Sequence, residues 1–326
     1  MSTTPTKTRP EFPVIFLFGP TGVGKTDLLL HLDARLFSVI NADSKQVYRH
    51  LDIGSAKPDT ETLKRIEHLL IDIRDPWEQF SVGDFVNLAD EACSRLIEQN
   101  RIPILCGGTA YYFKHFLFGL PCSPPSDPSI RKDVAALVDT HGLSWCYEML
   151  RTVDPVSAER IHPSDGYRIT RALEVYRMTG KPLSDFRVPD TVRSHLKPLV
   201  IGLKRPKEEL DERIDRRVEV MFNCGLEQEI ARLREMGAQR NWPGIQGIGY
   251  REFFDPNLGK EQIPDEIRKN SRAYAKRQMT FFKSLPGVHW IHPDDIKTLE
   301  TLIGNFLSEC GYRICDGMFC RTNVET

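Results

Sequence analysis

Short apolar runs alternate with longer stretches of helical period along this chain. Residues 14–18 are five consecutive apolar residues, and 37–40, 69–73, 102–106, 199–203 and 288–291 read as strands in the same way. Apolar runs of this kind suit strands buried on both faces. Their alternation with helical segments predicts a parallel sheet with helices on both sides. Residues 27–36 read as the first helix, with Leu28, Leu29 and Leu32 on one side. The run Pro121-Cys-Ser-Pro-Pro-Ser-Asp-Pro128 suits neither helix nor strand. Beyond it, residues 129–180 read as helical only, with Ala135, Leu137, Val138, Leu143, Tyr147, Leu150, Val153 and Ile161 as apolar positions. Residues 205–236 and 264–285 read as long charged helices. The expected organisation is an α/β core of residues 12–121 and 196–300 interrupted by a mostly helical insertion, 122–195. A disordered tail, 1–11, precedes it, and a C-terminal helix and tail, 301–326, follow.

Composition narrows the function. The net charge of −1 gives no global field toward nucleic acid, so any such binding must come from a local patch. No apolar run approaches a membrane span, and the first ten residues lack the apolar centre of a signal peptide. A cytoplasmic monomer with no membrane partner is the expectation. The eight cysteines are scattered and read as reduced thiols. Cys310, Cys315 and Cys320, with His289 and His292 upstream, match neither paired CxxC nor a C₂H₂ finger, and no metal site is assigned to them.

The strongest local signal follows the first strand. Gly19, Pro20, Thr21, Gly22, Val23, Gly24, Lys25 and Thr26 fit the phosphate-binding pattern G-x-x-x-x-G-K-[ST], between a strand and a helix as that pattern requires. Glycines let the backbone curl around an anion so that successive N–H groups point inward. The helix N-terminus adds about half a positive charge. Lys25 brings a mobile cation, and the Thr26 hydroxyl can ligate Mg²⁺. The sheet is therefore expected to be P-loop NTPase-like. The loop does not say what its phosphates are attached to.

Other candidates fall on the same sheet edge, since the carboxyl ends of parallel strands open together. Asp43 and Ser44 follow the second strand and suit either a helix N-cap or catalysis. Gly107-Gly108-Thr109 ends the 102–106 strand and lets a ligand approach the backbone. No Asp stands there as a Walker-B carboxylate, which argues against a motor-type ATPase and leaves a kinase open. Arg213, Arg216 and Arg217 offer a clamp for a leaving phosphate, or a solvated helix face. Residues 268–283 hold basic side chains and no acid. At about 100° per residue, Lys269, Arg272, Lys276 and Lys283 form a cationic stripe opposite Tyr274, Phe281 and Leu285.

At these residues the sequence resembles the tRNA dimethylallyltransferase (tRNA isopentenyltransferase) family, bacterial type, from Phe16 to about Trp290. The shared motifs are residues 19–26, Asn41-Ala-Asp-Ser-Lys-Gln-Val-Tyr48, Asp52-Ile-Gly-Ser-Ala-Lys57-Pro58, Asp72-Ile-Arg-Asp-Pro76, Gly107-Gly-Thr109, Arg171-Ala-Leu-Glu-Val-Tyr176, Gly249-Tyr-Arg251 and Tyr274-Ala-Lys-Arg-Gln278. The resemblance implies transfer of a dimethylallyl group from dimethylallyl diphosphate to N6 of the adenosine 3′ of the anticodon in tRNA. It implies Mg²⁺ on Thr26, and a channel between core and insertion that admits a flipped-out base. It implies Asp43 as the base, Lys25, Thr26 and Arg217 at the leaving group, and residues 19–26 around the diphosphate. It also implies tRNA contacts at Asp43, Ser44, Lys45, Gln46, Thr109, Arg131, Tyr167, Arg168, Arg171, Gln246, Gly249, Tyr250, Arg251, Lys276, Arg277, Gln278 and Lys283. Val23, Lys45, Ala110-Tyr111 and Gly166-Tyr167 depart from the commonest family pattern, and Lys45 there offers an added phosphate contact. Three other functions remain open from the loop and the stripe: a prenyltransferase of free adenine nucleotides, a small-molecule kinase, and a non-catalytic RNA-binding NTPase module.

Overall fold

The computed structural model describes residues 12–186, 188–315 and 318–321, with the backbone alone from 313 onward. The expected tail 1–11 lies outside the described residues. The chain forms two compact units. Phe118–Val192 make one, against the expected 122–195, and the flanking segments together make the other.

The larger unit begins with β1 (Phe12–Phe18), α1 (Lys25–Leu29), β2 (Phe37–Asn41), α2 (Thr60–Arg65), β3 (His68–Leu69), α3 (Val82–Glu98), β4 (Ile102–Gly107) and α4 (Ala110–Phe118). The smaller unit holds α5 (Pro128–His141), α6 (Leu143–Val153), α7 (Pro155–Arg160) and α8 (Gly166–Thr179). The larger unit resumes with β5 (Leu196–Leu203), α9 (Lys207–Asn223), α10 (Leu226–Glu235), α11 (Ile263–Phe282), β6 (His289–Ile291), α12 (Ile296–Glu309), β7 (Tyr312–Cys315) and β8 (Met318–Arg321).

Six strands form one sheet in the order β3-β2-β4-β1-β5-β6. Every pairing in it is parallel, with Ile15 opposite both Ile104 and Leu199. β1 lies between β4 and β5, so the loops leaving β1, β2 and β4 share one edge. Side-chain alternation along β1 builds two cores. Ile15 and Leu17 pack with Ile104, Ile201 and the α12 residues Leu299, Ile303 and Leu307. Phe16 and Phe18 face the other way onto Phe113 and Phe116 of α4. Phe18 also stacks on Phe282 at 4.2 Å, which fixes the end of α11 against the sheet.

Five expectations need correction. The first helix ends at Leu29 instead of Leu36, because the Asp33 carbonyl takes the N–H groups of both Leu36 and Phe37 and turns the chain into β2. The third strand is His68–Leu69 only, since Leu70 and Asp72 adopt left-handed φ values of 63° and 56°. The helix expected over 205–236 breaks between α9 and α10, where Gly225 takes φ 97°. The expected tail after α12 carries instead the antiparallel pair β7–β8. In the smaller unit the core is Val134, Cys146, Leu150, Ile161, Ile169 and Leu173, with Val134 buried in place of the expected Ala135.

Candidate active site

The phosphate loop is fastened from outside by arginines. Gly22 and Gly24 take φ values of 80° and 104°, open to glycine and strained for other residues. The Gly22 carbonyl accepts from Arg213 Nε at 2.8 Å and the Val23 carbonyl from Arg205 Nε at 2.8 Å. Lys25 Nζ donates to the carbonyls of Gly19 (2.9 Å) and Pro20 (3.0 Å). Burial pulls the Lys25 ammonium down to about 8. The thiol of Cys106 and the carboxylate of Asp43 oppose that shift, and Arg217 adds to it.

Asp43 caps a turn and not a helix. Its Oδ1 accepts the Lys45 N–H at 2.8 Å, and no helix follows. Ser44 N–H donates to Thr109 Oγ1 at 2.9 Å, which joins the loops after β2 and β4. Arg217 on α9 is held below the usual arginine range by burial, with Asp43 raising it and Arg213 lowering it. Burial, then the Asp43 charge, raise the Tyr274 phenol. One carboxylate thus acts electrostatically on Lys25, Arg217 and Tyr274 together.

These groups line one cavity of about 930 Å³, with residues 21–27, Asp43–Gln46, the arginine face of α9, residues 246–249, Arg251 and Arg277 around it. Its apolar side includes Ile214, Val218, Met221, Ile248 and Ile267. Thr26 also lines it. Gln46 donates to the carbonyls of Ser55 (3.3 Å) and Ala56 (3.1 Å). Lys45 lines the same cavity, and its Nζ donates to the Pro243 carbonyl at 2.8 Å. Burial lowers its pKa to about 8, with Asp43 opposing and Arg251 adding.

Sequence reasoning missed the residues that shape the cavity from behind. Glu229 on α10 is buried and accepts from the N–H groups of Asp52 (3.0 Å), Ile53 (2.8 Å) and Gly54 (3.2 Å) and from the Tyr250 hydroxyl (2.7 Å). Tyr250, expected at the tRNA, is fully buried, and its oxygen also accepts Ser55 N–H at 3.0 Å. Gly249 is buried beside Gly54, where a Cβ would lie 2.9 Å from the Gly54 oxygen. Glu252, also buried, accepts from Gly249 N–H and from Asn270 on α11, both at 2.9 Å. Gln246 is exposed and donates to the Arg240 carbonyl. Glu252 follows the glycine-rich run Gly244-Ile-Gln-Gly247-Ile-Gly249, whereas Glu229 reads as an ordinary charged helix position.

The cationic stripe is partly neutralised. Lys269 pairs with Glu266, and Arg272 with Asp215 of α9. Lys276, Arg277 and Lys283 make no ion pair among the described residues and are exposed. Gln278, also expected at the tRNA, is buried with its amide bonded within the protein.

In the smaller unit, Arg131 and Tyr167 are exposed, and Arg168 is exposed beside Asp165 at 3.4 Å. Arg171 is half-buried, pairs with Glu174 at 3.1 Å and donates to the Pro124 carbonyl. The side chains of Cys315 and Cys320 lie outside the described residues. Among the described residues Glu209, His292 and Asp294 have metal-ligand spacing, but the guanidinium of Arg205 bonds all three.

A parallel sheet with a phosphate loop, a carboxylate and an arginine gathered at its carboxyl edge is the site of a P-loop-type group-transfer protein. The IPP transferase family matches this chain over residues 46–285. A tRNA dimethylallyltransferase of Borrelia turicatae is 44% identical over 286 residues, covering 86% of this chain and 95% of that protein. A tRNA isopentenylpyrophosphate transferase structure from Bacillus halodurans is 35% identical with a TM-score of 0.67, covering 91% of this chain and 97% of that one. A structure of a eukaryotic dimethylallyltransferase acting on tRNA superposes with a TM-score of 0.74 at 28% identity, over 90% of this chain and 77% of that one. The chain belongs to the IPP transferase family.

Proposed function

We propose that this protein transfers a dimethylallyl group from dimethylallyl diphosphate to N6 of the adenosine 3′-adjacent to the anticodon in tRNA. The observation that carries the reading is the single cavity in which the phosphate loop, Asp43 and Arg217 meet, in a chain of this family. In the reaction the bond from the allylic carbon to the diphosphate oxygen breaks, and its electron pair leaves with diphosphate. The N6–carbon bond forms, and the N6 proton passes to the Asp43 carboxylate. The loop N–H groups, Lys25 and Arg217 stabilise the charge that grows on the leaving diphosphate. Asp43 orients the weakly nucleophilic amine and accepts its proton, and the Ser44–Thr109 bond fixes the strand ends on which it sits.

The donor set fits Mg²⁺. The Thr26 hydroxyl lines the cavity at the end of the loop, and magnesium characteristically takes few protein ligands and completes its shell with phosphate oxygens and water. When bound it would neutralise diphosphate charge. The apolar side of the cavity suits a five-carbon chain.

The test is incubation of purified protein with Mg²⁺, dimethylallyl diphosphate and either unmodified tRNA with an A-rich anticodon loop or AMP, then nucleoside mass analysis. N6-dimethylallyladenosine in tRNA alone is the expected result. Product from AMP alone would make the protein a free-nucleotide prenyltransferase. Absence of both, with ATP consumed, would make it a kinase or NTPase.

A further inference from the structure

We propose that Tyr111 is an additional RNA-contact residue, its ring a stacking platform for an unpaired base beside the target adenosine. This rests on the tRNA reading above. Tyr111 is the second residue of α4, two residues past Thr109, whose hydroxyl accepts the Ser44 N–H at the edge where Asp43 sits. Tyr111 is 51% exposed and is, with Trp77, Trp145 and Tyr167, one of the exposed large aromatics among the described residues.

Its ring is already held in place. Phe281 of α11 lies 5.4 Å away at 43°, and His115 one turn along α4 lies 6.1 Å away at 21°. A ring fixed before binding loses little rotamer freedom when a base stacks on it.

The surroundings are cationic. Lys114 lies one turn from Tyr111 on α4 and Arg277 one turn from Phe281 on α11, while Lys276 and Lys283, the latter just past the end of α11, belong to the opposite face. None of these four makes an ion pair among the described residues. Neither α4 nor α11 beyond Ile267 contains an acid. Arg277 and Phe281 are four residues apart on one helix, so a backbone phosphate and a base could be met by neighbouring side chains. An exposed aromatic ring with Lys114 on its own helix and Arg277 on the neighbouring one, and no acid on α4 or on α11 beyond Ile267, is the footprint of single-stranded nucleic acid, where base stacking and backbone charge act together.

The experiment uses the full chain and an anticodon stem-loop RNA carrying 2-aminopurine in turn at each unpaired position flanking the target adenosine. Wild type should quench the probe at one position. Tyr111→Leu should lose that quenching and bind the RNA about tenfold more weakly, in the range of one base–aromatic stack. Tyr111→Phe should keep both, since stacking needs the ring and not the hydroxyl. Binding of dimethylallyl diphosphate should be equal in all three proteins, which also checks that they are folded. Wild-type affinity and quenching in Tyr111→Leu would overturn the contact, as would a Tyr111→Phe protein as weak as Tyr111→Leu. Wild type that binds no RNA would overturn the tRNA reading and this contact with it. RNA binding that none of the substitutions alters would overturn the contact alone.

Discussion

The side-chain oxygen of Gln278 accepts the backbone N–H of Thr21 at 2.9 Å across 257 residues of sequence. Its amide nitrogen donates to the Gly108 carbonyl at 2.8 Å. One side chain therefore joins the phosphate loop to the loop after β4, its amide supplying an acceptor and a donor on two separate atoms, which a carboxylate or an ammonium cannot do. Gln278→Ala leaves two backbone groups without that partner, a loss on the order of 1–3 kcal/mol for each group that stays buried. The expected outcome is a KM for dimethylallyl diphosphate raised about tenfold with RNA affinity within about twofold of wild type. Loss of RNA binding with the diphosphate KM unchanged would instead make Gln278 an RNA contact.

Asp43→Asn separates the charge from the turn. The amide oxygen can still accept the Lys45 N–H, so the loop should keep its shape. The kcat of transfer should fall by about 10²–10⁴, the usual range for losing a general base. RNA affinity should stay within about twofold, measured by filter binding. Retention of full kcat would remove Asp43 from its role.

The basic residues of α11 should divide into two groups. Lys276→Glu and Lys283→Glu should weaken tRNA binding and flatten its salt dependence, by about 0.7 in slope for each single-strand phosphate that is no longer neutralised. Arg272→Ala should change the slope less, because Arg272 already faces Asp215. Equal slopes in all variants would mean that the stripe faces something other than RNA.

Lys45 gives stability a pH dependence of definite sign. Its pKa is lowered from 10.5 to about 8 in the folded protein. Burial therefore penalises folding while both states carry the proton, below about 8. The penalty is relieved as pH rises toward 10.5, because the folded state gives up its proton first. Lys45→Met has no such proton. The Tm of wild type minus that of Lys45→Met should increase between roughly pH 7.5 and 10. A difference that stays flat would show that Lys45 is solvated and not buried against Pro243.

The parts legible in the sequence were those set by local pattern. The apolar runs that became β1, β4 and β5, and the glycines and Lys25-Thr26 of the loop, carry their structure in their own spacing. What was not legible depends on partners far along the chain. Leu70 and Asp72 reach left-handed φ without a glycine to announce it, so the third strand looked longer than it is. The partner of Arg272, Asp215, was hidden because it lies on α9, whereas Glu266, the partner of Lys269, stands three residues before it on the same helix. Tyr250 and Gln278 read as surface contacts because the acceptors and donors that bury them, Glu229, Thr21 and Gly108, come from other elements. Asp43 reads as either a helix cap or a catalytic group, and what decided against the helix cap was a chain path that continues as turns.

The interleaving of early and late segments also has a consequence during synthesis. β1 pairs along its whole length with β5, and Thr21 is held by a residue on α11. On a ribosome adding about 5–20 residues per second, the phosphate loop waits roughly 10–50 s for Gln278 to be made. A nascent chain that carries the whole motif of residues 19–26 therefore still lacks one of the clamps that set the loop's shape. Chains cut short before α11 would carry the motif without its Gln278 tether.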